Sequence, residues 1–358
     1  MGAGASKADG APLQFDLLRD YFLSEKGRER SEMNRELKSF FHDFYRIDTA
    51  KVDKTTAFPT FEEVLGMLEL ALARNECFRI SGTPPIEWDQ HRIQECRSHI
   101  VALICTILAE KLGATPGKGG TTHRLLASKL PRPGVNTSFI TFNYDLLLDN
   151  ALSYTGFTVD YGTTFANPLK INGPSVGIYK LHGSLNWLRC PNCGALTNTG
   201  DVKGASYPTK ERQPCKTFQC GARTTPIVIP PTFFKVMSDY HLQQVWYSAQ
   251  QKLAAADCVY FCGYSLPDAD MHVRYLLKRA EVTAGRTPKV FVITNHGDKK
   301  DADREAERSR YLRLYRDPST VVYTSWTFEQ FANDPFTLVT RPRKEVEWVP
   351  PRARKASA

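Results

Sequence analysis

The stretch Val135-Asn136-Thr137-Ser138-Phe139-Ile140-Thr141-Phe142-Asn143-Tyr144-Asp145 passes from β-branched and aromatic residues directly into polar ones. Val135 to Phe142 reads as a short strand, and Asn143 and Asp145 fall just past its carboxyl end, where open α/β sheets bind ligands. The same design recurs downstream. Ile178 to Leu181 leads into His182-Gly183-Ser184, Val259 to Cys262 into Gly263-Tyr264-Ser265-Leu266-Pro267, and Val290 to Ile293 into Thr294-Asn295. Ile227 to Ile229 and Val321 to Tyr323 complete the strand-like runs. Helical patterns lie between several of them, at Asp145 to Leu152, Val236 to Ala256, Met271 to Ala280 and Asp301 to Tyr315. Strands alternating with helices, each strand apolar on both faces, predict an α/β fold: a Rossmann-type, doubly wound, mostly parallel sheet.

Upstream of this core the period is helical. Leu17, Leu18, Tyr21 and Phe22 repeat at helical spacing, as do Leu37, Phe40, Phe41 and Phe44. Thr60 and Glu63 form a capping box that opens a helix through Leu65, Leu68 and Leu72. Ile93 to Leu112 is another long helix, and Gly117-Lys118-Gly119-Gly120 ends the block. The expected organisation is a Rossmann-type domain from 1–12, 120–185 and 226–325, with a helical insertion module at 13–119. Segment 186–225 forms a small zinc ribbon, and 326–358 is a C-terminal extension.

Segment 186–225 is dense in Cys, Gly, Thr, Lys and Pro and has little apolar periodicity, so it needs a staple. Cys190, Cys193, Cys215 and Cys220 supply one: two close cysteine pairs make the tetrahedral thiolate set that structural Zn2+ prefers. Four sulfur ligands leave no open position, so this zinc is expected to be structural. The other five of the nine cysteines lie in apolar segments and read as small core residues. An odd count without a signal peptide argues against a disulfide framework and for a reducing compartment, here the cytoplasm.

The formal net charge is +9 over 358 residues, but residues 341–358 alone contribute +4. That tail, with Pro350 and Pro351, reads as a solvated end rather than a nucleic-acid patch. No apolar run approaches the ~20 residues of a membrane span.

Gly2-Ala3-Gly4-Ala5-Ser6 reads as a loop that cradles phosphate through backbone N–H groups, although the same letters match a Met-Gly-x-x-x-Ser lipidation signal. Asn143 or Asp145 could equally cap the helix that follows, and His182 could be a satisfied structural histidine. What favours a site is that four separate strands end in small or hydrogen-bonding residues, as a nucleotide crevice requires.

The ordered set GAGAS, TFNYD, KLHGS, the cysteine pairs, GYSLPDAD and VITN resembles the sirtuin-like superfamily, and more narrowly the bacterial sirtuin-like proteins associated with phage defence. The resemblance runs from Gly2 to about Asn295. It implies that NAD is the substrate, with Gly2, Ala3, Gly4 and Ser6 lining the pyrophosphate. Asn143 would hold the nicotinamide ribose or the attacking water, and Asp145 the carboxamide. His182 would be the general base, Gly263 and Ser265 would bind phosphate or ribose, and Asn295 the adenine-side ribose. The family's glycine loop follows an apolar first strand, whereas here only Met1 precedes Gly2.

The deacylating branch carries an Asp-Phe-Arg run after the glycine loop; this chain reads Asp9-Gly10-Ala11 instead. Its Pro230-Pro231 pair also offers no N–H for a peptide strand to pair with. The expected activity is therefore an NAD+ glycohydrolase acting in antiviral defence by NAD depletion. The alternatives are an NAD-dependent deacylase or ADP-ribosyltransferase, and a non-catalytic NAD or ADP-ribose binding module. Control by homo-oligomerisation, or by a partner ATPase or nucleic-acid sensor, is expected because a constantly active NAD hydrolase would be toxic.

Overall fold

The computed structural model describes residues 1–13, 16–112, 121–167, 173–199, 214–228, 239–268, 270–294 and 299–350. Its strands, in chain order, are β1 (Phe78–Ile80), β2 (Ile86–Trp88), β3 (Ser138–Thr141), β4 (Thr158–Asp160), β5 (Ser175–Lys180), β6 (Gly183–Arg189), β7 (Leu196–Asn198), β8 (Thr225–Val228), β9 (Cys258–Cys262), β10 (Lys289–Ile293) and β11 (Val321–Tyr323). Two of its sheets are fully parallel, in the orders β3-β5-β4 and β11-β10-β9. Thr141 pairs with Lys180 and Cys262 with Ile293, so the carboxyl ends within each sheet lie flush.

The backbone of the first two residues joins these half-sheets. The Met1 amine donates to Ile140 O at 2.6 Å, and Met1 O accepts from Phe142 N at 3.0 Å. On the other side Gly2 N donates to Cys262 O at 2.9 Å. Met1 thus bonds to the end of β3 and Gly2 to the end of β9. Side-chain alternation covers both faces: Val290 and Val292 pack with Val273, Leu277 and Tyr311, while Phe291 and Ile293 belong to the cluster of Leu242, Val245 and Phe331. The sheet is doubly wound, as the strand and helix alternation predicts.

Helices Glu32–Tyr45, Phe61–Arg74 and Gln90–Lys111 carry the upstream block, and the Thr60–Glu63 capping box is present. The all-helical expectation is corrected at one place, where β1 and β2 form an antiparallel hairpin. The hairpin ends on Trp88, which is fully buried among Phe40 and Phe44 and donates Nε1–H to Asp43 at 3.0 Å. Its strands are only three residues long, each with a charged residue at its centre, too short for periodicity to register.

Two further expectations change. The run Ile227 to Ile229 reads as a strand of the parallel core, but β8 pairs antiparallel with β6, which also pairs antiparallel with β7. A short apolar run carries no information on strand direction. The C-terminal segment also departs from a free tail. Trp348 is buried and donates its backbone N–H to Tyr323 O at 2.8 Å, while Arg343 donates to Val321 O and to both oxygens of Glu347. Residues 351–358, with Arg352, Arg354 and Lys355, lie outside the described residues.

Asp9 ties the N-terminal segment to helix Thr121–Lys129. Its carboxylate accepts from the backbone N–H groups of Thr122 at 2.8 Å and His123 at 3.1 Å, and it contacts His123 Nδ1. Burial alone would raise its pKa, but the His123 side chain and these amides hold it below the usual carboxylate value. A depressed folded pKa gives stability that is present above the unfolded value and lost as pH falls through the folded one. Asp9→Ala is expected to cost about 2 kcal/mol at pH 7, and urea unfolding should show the difference shrinking below about pH 4.

Candidate active site

The carboxyl edge of the joined sheet collects the polar residues. Past β3, the Asn143 side-chain amide donates both protons, to Gly2 O at 3.0 Å and to Ser6 Oγ at 2.7 Å. That orientation leaves Oδ1 as its acceptor. Ser6 Oγ donates in turn to Asp145 Oδ2 at 2.7 Å, and Asp145 Oδ1 accepts Leu147 N at 3.1 Å. Asp145, which precedes the N-cap Leu146, therefore satisfies the first N–H of the following helix and also links it to the N-terminal loop. Ser6 is 2% exposed, with its hydroxyl engaged by these two side chains.

Glycine is required where backbones meet. A Cβ at Gly2 would lie 2.7 Å from Gly263 O, and one at Gly263 (φ +60°) would lie 2.0 Å from Ala5 N. Gly4 N donates to Gly263 O at 2.9 Å. Gly2 and Gly263 thus permit the close approach of the N-terminal turn to the end of β9. The Gly2 N–H is engaged with Cys262, and Gly2 is buried. Ala3 is half-buried on the same turn, and Ser265 is exposed, with its carbonyl accepting from Arg310.

His182 follows β5 and is 2% exposed. Its ring lies 5.4 Å from that of Phe142 and 6.3 Å from that of Tyr144. Phe142 stacks on Tyr264 at 4.2 Å, so aromatic rings from the ends of β3 and β9 wall the histidine. Its Nε2 lies 3.9 Å from Asp270 Oδ2, which accepts the Tyr264 hydroxyl at 2.7 Å. Burial first, and then Glu62 and Asp270, raises the Tyr144 pKa well above its ordinary value; burial and Asp270 do the same for Tyr264. The helical block reaches the site through Phe61, whose ring lies 6.2 Å from that of Tyr144.

Lys180, fully buried at the end of β5, supports this edge from beneath. Its ammonium donates to Asp145 O at 2.6 Å and to Asp149 Oδ2 at 3.1 Å, and Asp149 Oδ1 accepts the Tyr161 hydroxyl at 2.6 Å. Lys180→Met would strand the buried Asp149 carboxylate. It is expected to cost about 3–5 kcal/mol, read as a fall in the urea midpoint.

The structure thus gathers Gly2, Gly4, Ser6, Asn143, Asp145, His182 and Gly263 at one edge. Asn295 and the Pro230-Pro231 pair lie outside the described residues. Lys180, Tyr264 and Asp270 were not singled out from sequence. Asp270 lies in the GYSLPDAD run, but its separation of 88 positions from His182 hid the pairing. A small hollow lined by Leu253, Val259, Leu277, Glu281, Arg286 and Tyr315 lies by the start of β9 and contains none of these residues.

Cys190, Cys193, Cys215 and Cys220 bring their sulfur atoms within 4.8 Å of one another. The Cys190–Cys220 and Cys193–Cys215 separations are 3.5 and 3.7 Å. A tetrahedral zinc with bonds of about 2.3 Å sets its sulfurs about 3.8 Å apart, whereas a disulfide would need about 2.05 Å. The donor set fits zinc in a closed, structural role. Elemental analysis of purified protein is expected to find a single zinc per chain, lost in Cys193→Ser. Chelation should lower the melting temperature by about 5 °C or more.

No helix among the described residues is long and apolar enough to cross a membrane. A family model described as a SIR2-like domain matches residues 137–315. No curated protein matches the chain. Among solved structures, one described as a Sir2 homolog–NAD complex is 15% identical, covers 88% of this chain and 88% of its own, and has a TM-score of 0.42. Another, titled for the mechanism and regulation of Sir2 enzymes, is 15% identical over 69% of this chain and 78% of its own, with a TM-score of 0.39. A third, described as Sir2 bound to acetylated peptide, is 12% identical over 67% and 79%, with a TM-score of 0.38.

Proposed function

Since the chain belongs to the SIR2-like domain family, we propose that it is an NAD+ glycohydrolase of the phage-defence type, cleaving the nicotinamide–ribose bond to give nicotinamide and ADP-ribose. The observation that carries this reading is the convergence of Asn143, anchored on Gly2 and Ser6, with the aromatic-walled His182 at the carboxyl edge of the sheet. NAD is the substrate because the motif order resembles that of an NAD-using superfamily. Gly2, Ala3, Gly4, Ser6, Gly263, Ser265 and Asn295 are its proposed contacts.

The chemistry needs few groups. Nicotinamide leaves as a neutral molecule from a cationic bond, so no general acid is required. The site has only to stabilise an oxocarbenium-like transition state and deliver a nucleophile. Asn143 Oδ1 is an acceptor suited to a ribose hydroxyl or the attacking water. His182, in its neutral form, takes the proton. Asp145, whose oxygens serve Ser6 and Leu147, holds the Asn143 loop in place and would meet the carboxamide only by exchanging one of those bonds. Because NAD depletion is toxic, we assign control to homo-oligomerisation or to a partner ATPase or nucleic-acid sensor.

Purified protein incubated with NAD is expected to release nicotinamide and ADP-ribose without any peptide, followed by chromatography. His182→Ala and Asn143→Ala should each lower the rate by about 10²–10⁴. Release only in the presence of an acetylated peptide, with acetyl-ADP-ribose as product, would overturn this reading in favour of deacylation. Measurable NAD binding with no turnover would leave a binding module.

A further inference from the structure

We propose that Asp270 is a positioning residue for His182, holding and polarising the imidazole through a carboxylate that Tyr264 fixes in place. The proposal rests on the reading of His182 as the general base. Four observations carry it. The His182 and Asp270 side chains are 3% and 1% exposed, and Nε2 stands 3.9 Å from Oδ2, within ion-pair range of the carboxylate. Oδ2 also accepts the Tyr264 hydroxyl at 2.7 Å, and Tyr264 stacks on Phe142, which packs against the His182 ring. The carboxylate, the phenol and the imidazole therefore share one wall of the site.

Asp270 also sets aside the ordinary task of an aspartate in its position. It is the N-cap of helix Met271–Ala284, where such a side chain usually accepts a backbone N–H of the first turn, yet it makes no side-chain cap bond. Its carboxylate is turned toward the histidine and the tyrosine instead. A buried carboxylate beside an imidazole favours the protonated ring and fixes its orientation. The residue acts through His182 and does not itself meet substrate.

Tyr144, from the end of β3, and Tyr264, from the end of β9, are both held protonated by burial. Glu62, Glu69 and Arg97 of the helical block act on Tyr144.

The test compares wild type, Asp270→Asn, Tyr264→Phe and His182→Ala in NAD hydrolysis across pH. In parallel, the His182 imidazole is titrated by NMR in the first three. Removing the negative charge lowers the histidine pKa, so the base form persists to lower pH. Asp270→Asn is expected to move the acid limb of kcat/KM and the NMR titration down by about one unit, with kcat falling about ten- to a hundredfold at little change in KM. Tyr264→Phe, which keeps the ring and removes one donor to the carboxylate, should show a smaller, upward shift in the same two readouts. An unchanged NMR titration in Asp270→Asn overturns the proposal even where hydrolysis is lost through misfolding elsewhere. If His182→Ala hydrolyses NAD as fast as wild type, the glycohydrolase assignment of His182 falls first. If His182→Ala is inactive while Asp270→Asn matches wild type in rate and pH profile, only the positioning role falls.

Discussion

Two parallel half-sheets meet at the backbone of Met1 and Gly2, and the candidate site exists because of that junction. The hydrogen bonds from Met1 to Ile140 and Phe142, and from Gly2 to Cys262, set the end of β3 beside the end of β9. Phe142 can then stack on Tyr264, and Asn143 can reach Gly2 O and Ser6 Oγ. The join is narrow: Gly2 and Gly263 approach so closely that a Cβ on either would overlap the other's surroundings. Steric exclusion of side chains accounts for glycine at both positions.

Around this junction the polar groups form layers. Beneath, Lys180 joins the carbonyl of Asp145 to the carboxylate of Asp149, and Asp149 holds Tyr161. Above, Ser6 links Asn143 to Asp145. A buried ammonium is tolerable only when paired and hydrogen-bonded, and here its partners are the loop that carries the site residues. Rigidity of the Asn143 loop and stability of the fold therefore draw on the same contacts. The cysteine cluster lies on the antiparallel excursion of β6, β7 and β8, between two core elements of the chain. Zinc would hold that excursion without entering the chemistry.

Much of this was readable in the residues. Short apolar strands followed by polar residues mark a parallel sheet and its functional edge, because strand ends and ligand sites coincide in open α/β folds. The Thr60–Glu63 box and the cysteine spacing are local signals, and both recur in the structure. The hairpin of β1 and β2 escaped notice because three-residue strands carry no periodicity. The direction of β8 escaped because polarity of pairing is not encoded in a single strand.

By itself, then, the sequence determined what depends on neighbouring positions: the alternation of strands and helices, the helix caps, the thiolate set and the polar strand ends at Asn143 and His182. The tertiary structure alone decided what depends on residues far apart in the chain. Met1 bonds to the end of β3, Lys180 serves the loop at Asp145, and Asp270 faces His182 across 88 positions of sequence. The physical reason is that hydrogen bonds and burial act over a few ångströms of space, and only the folded topology says which distant residues come within that range.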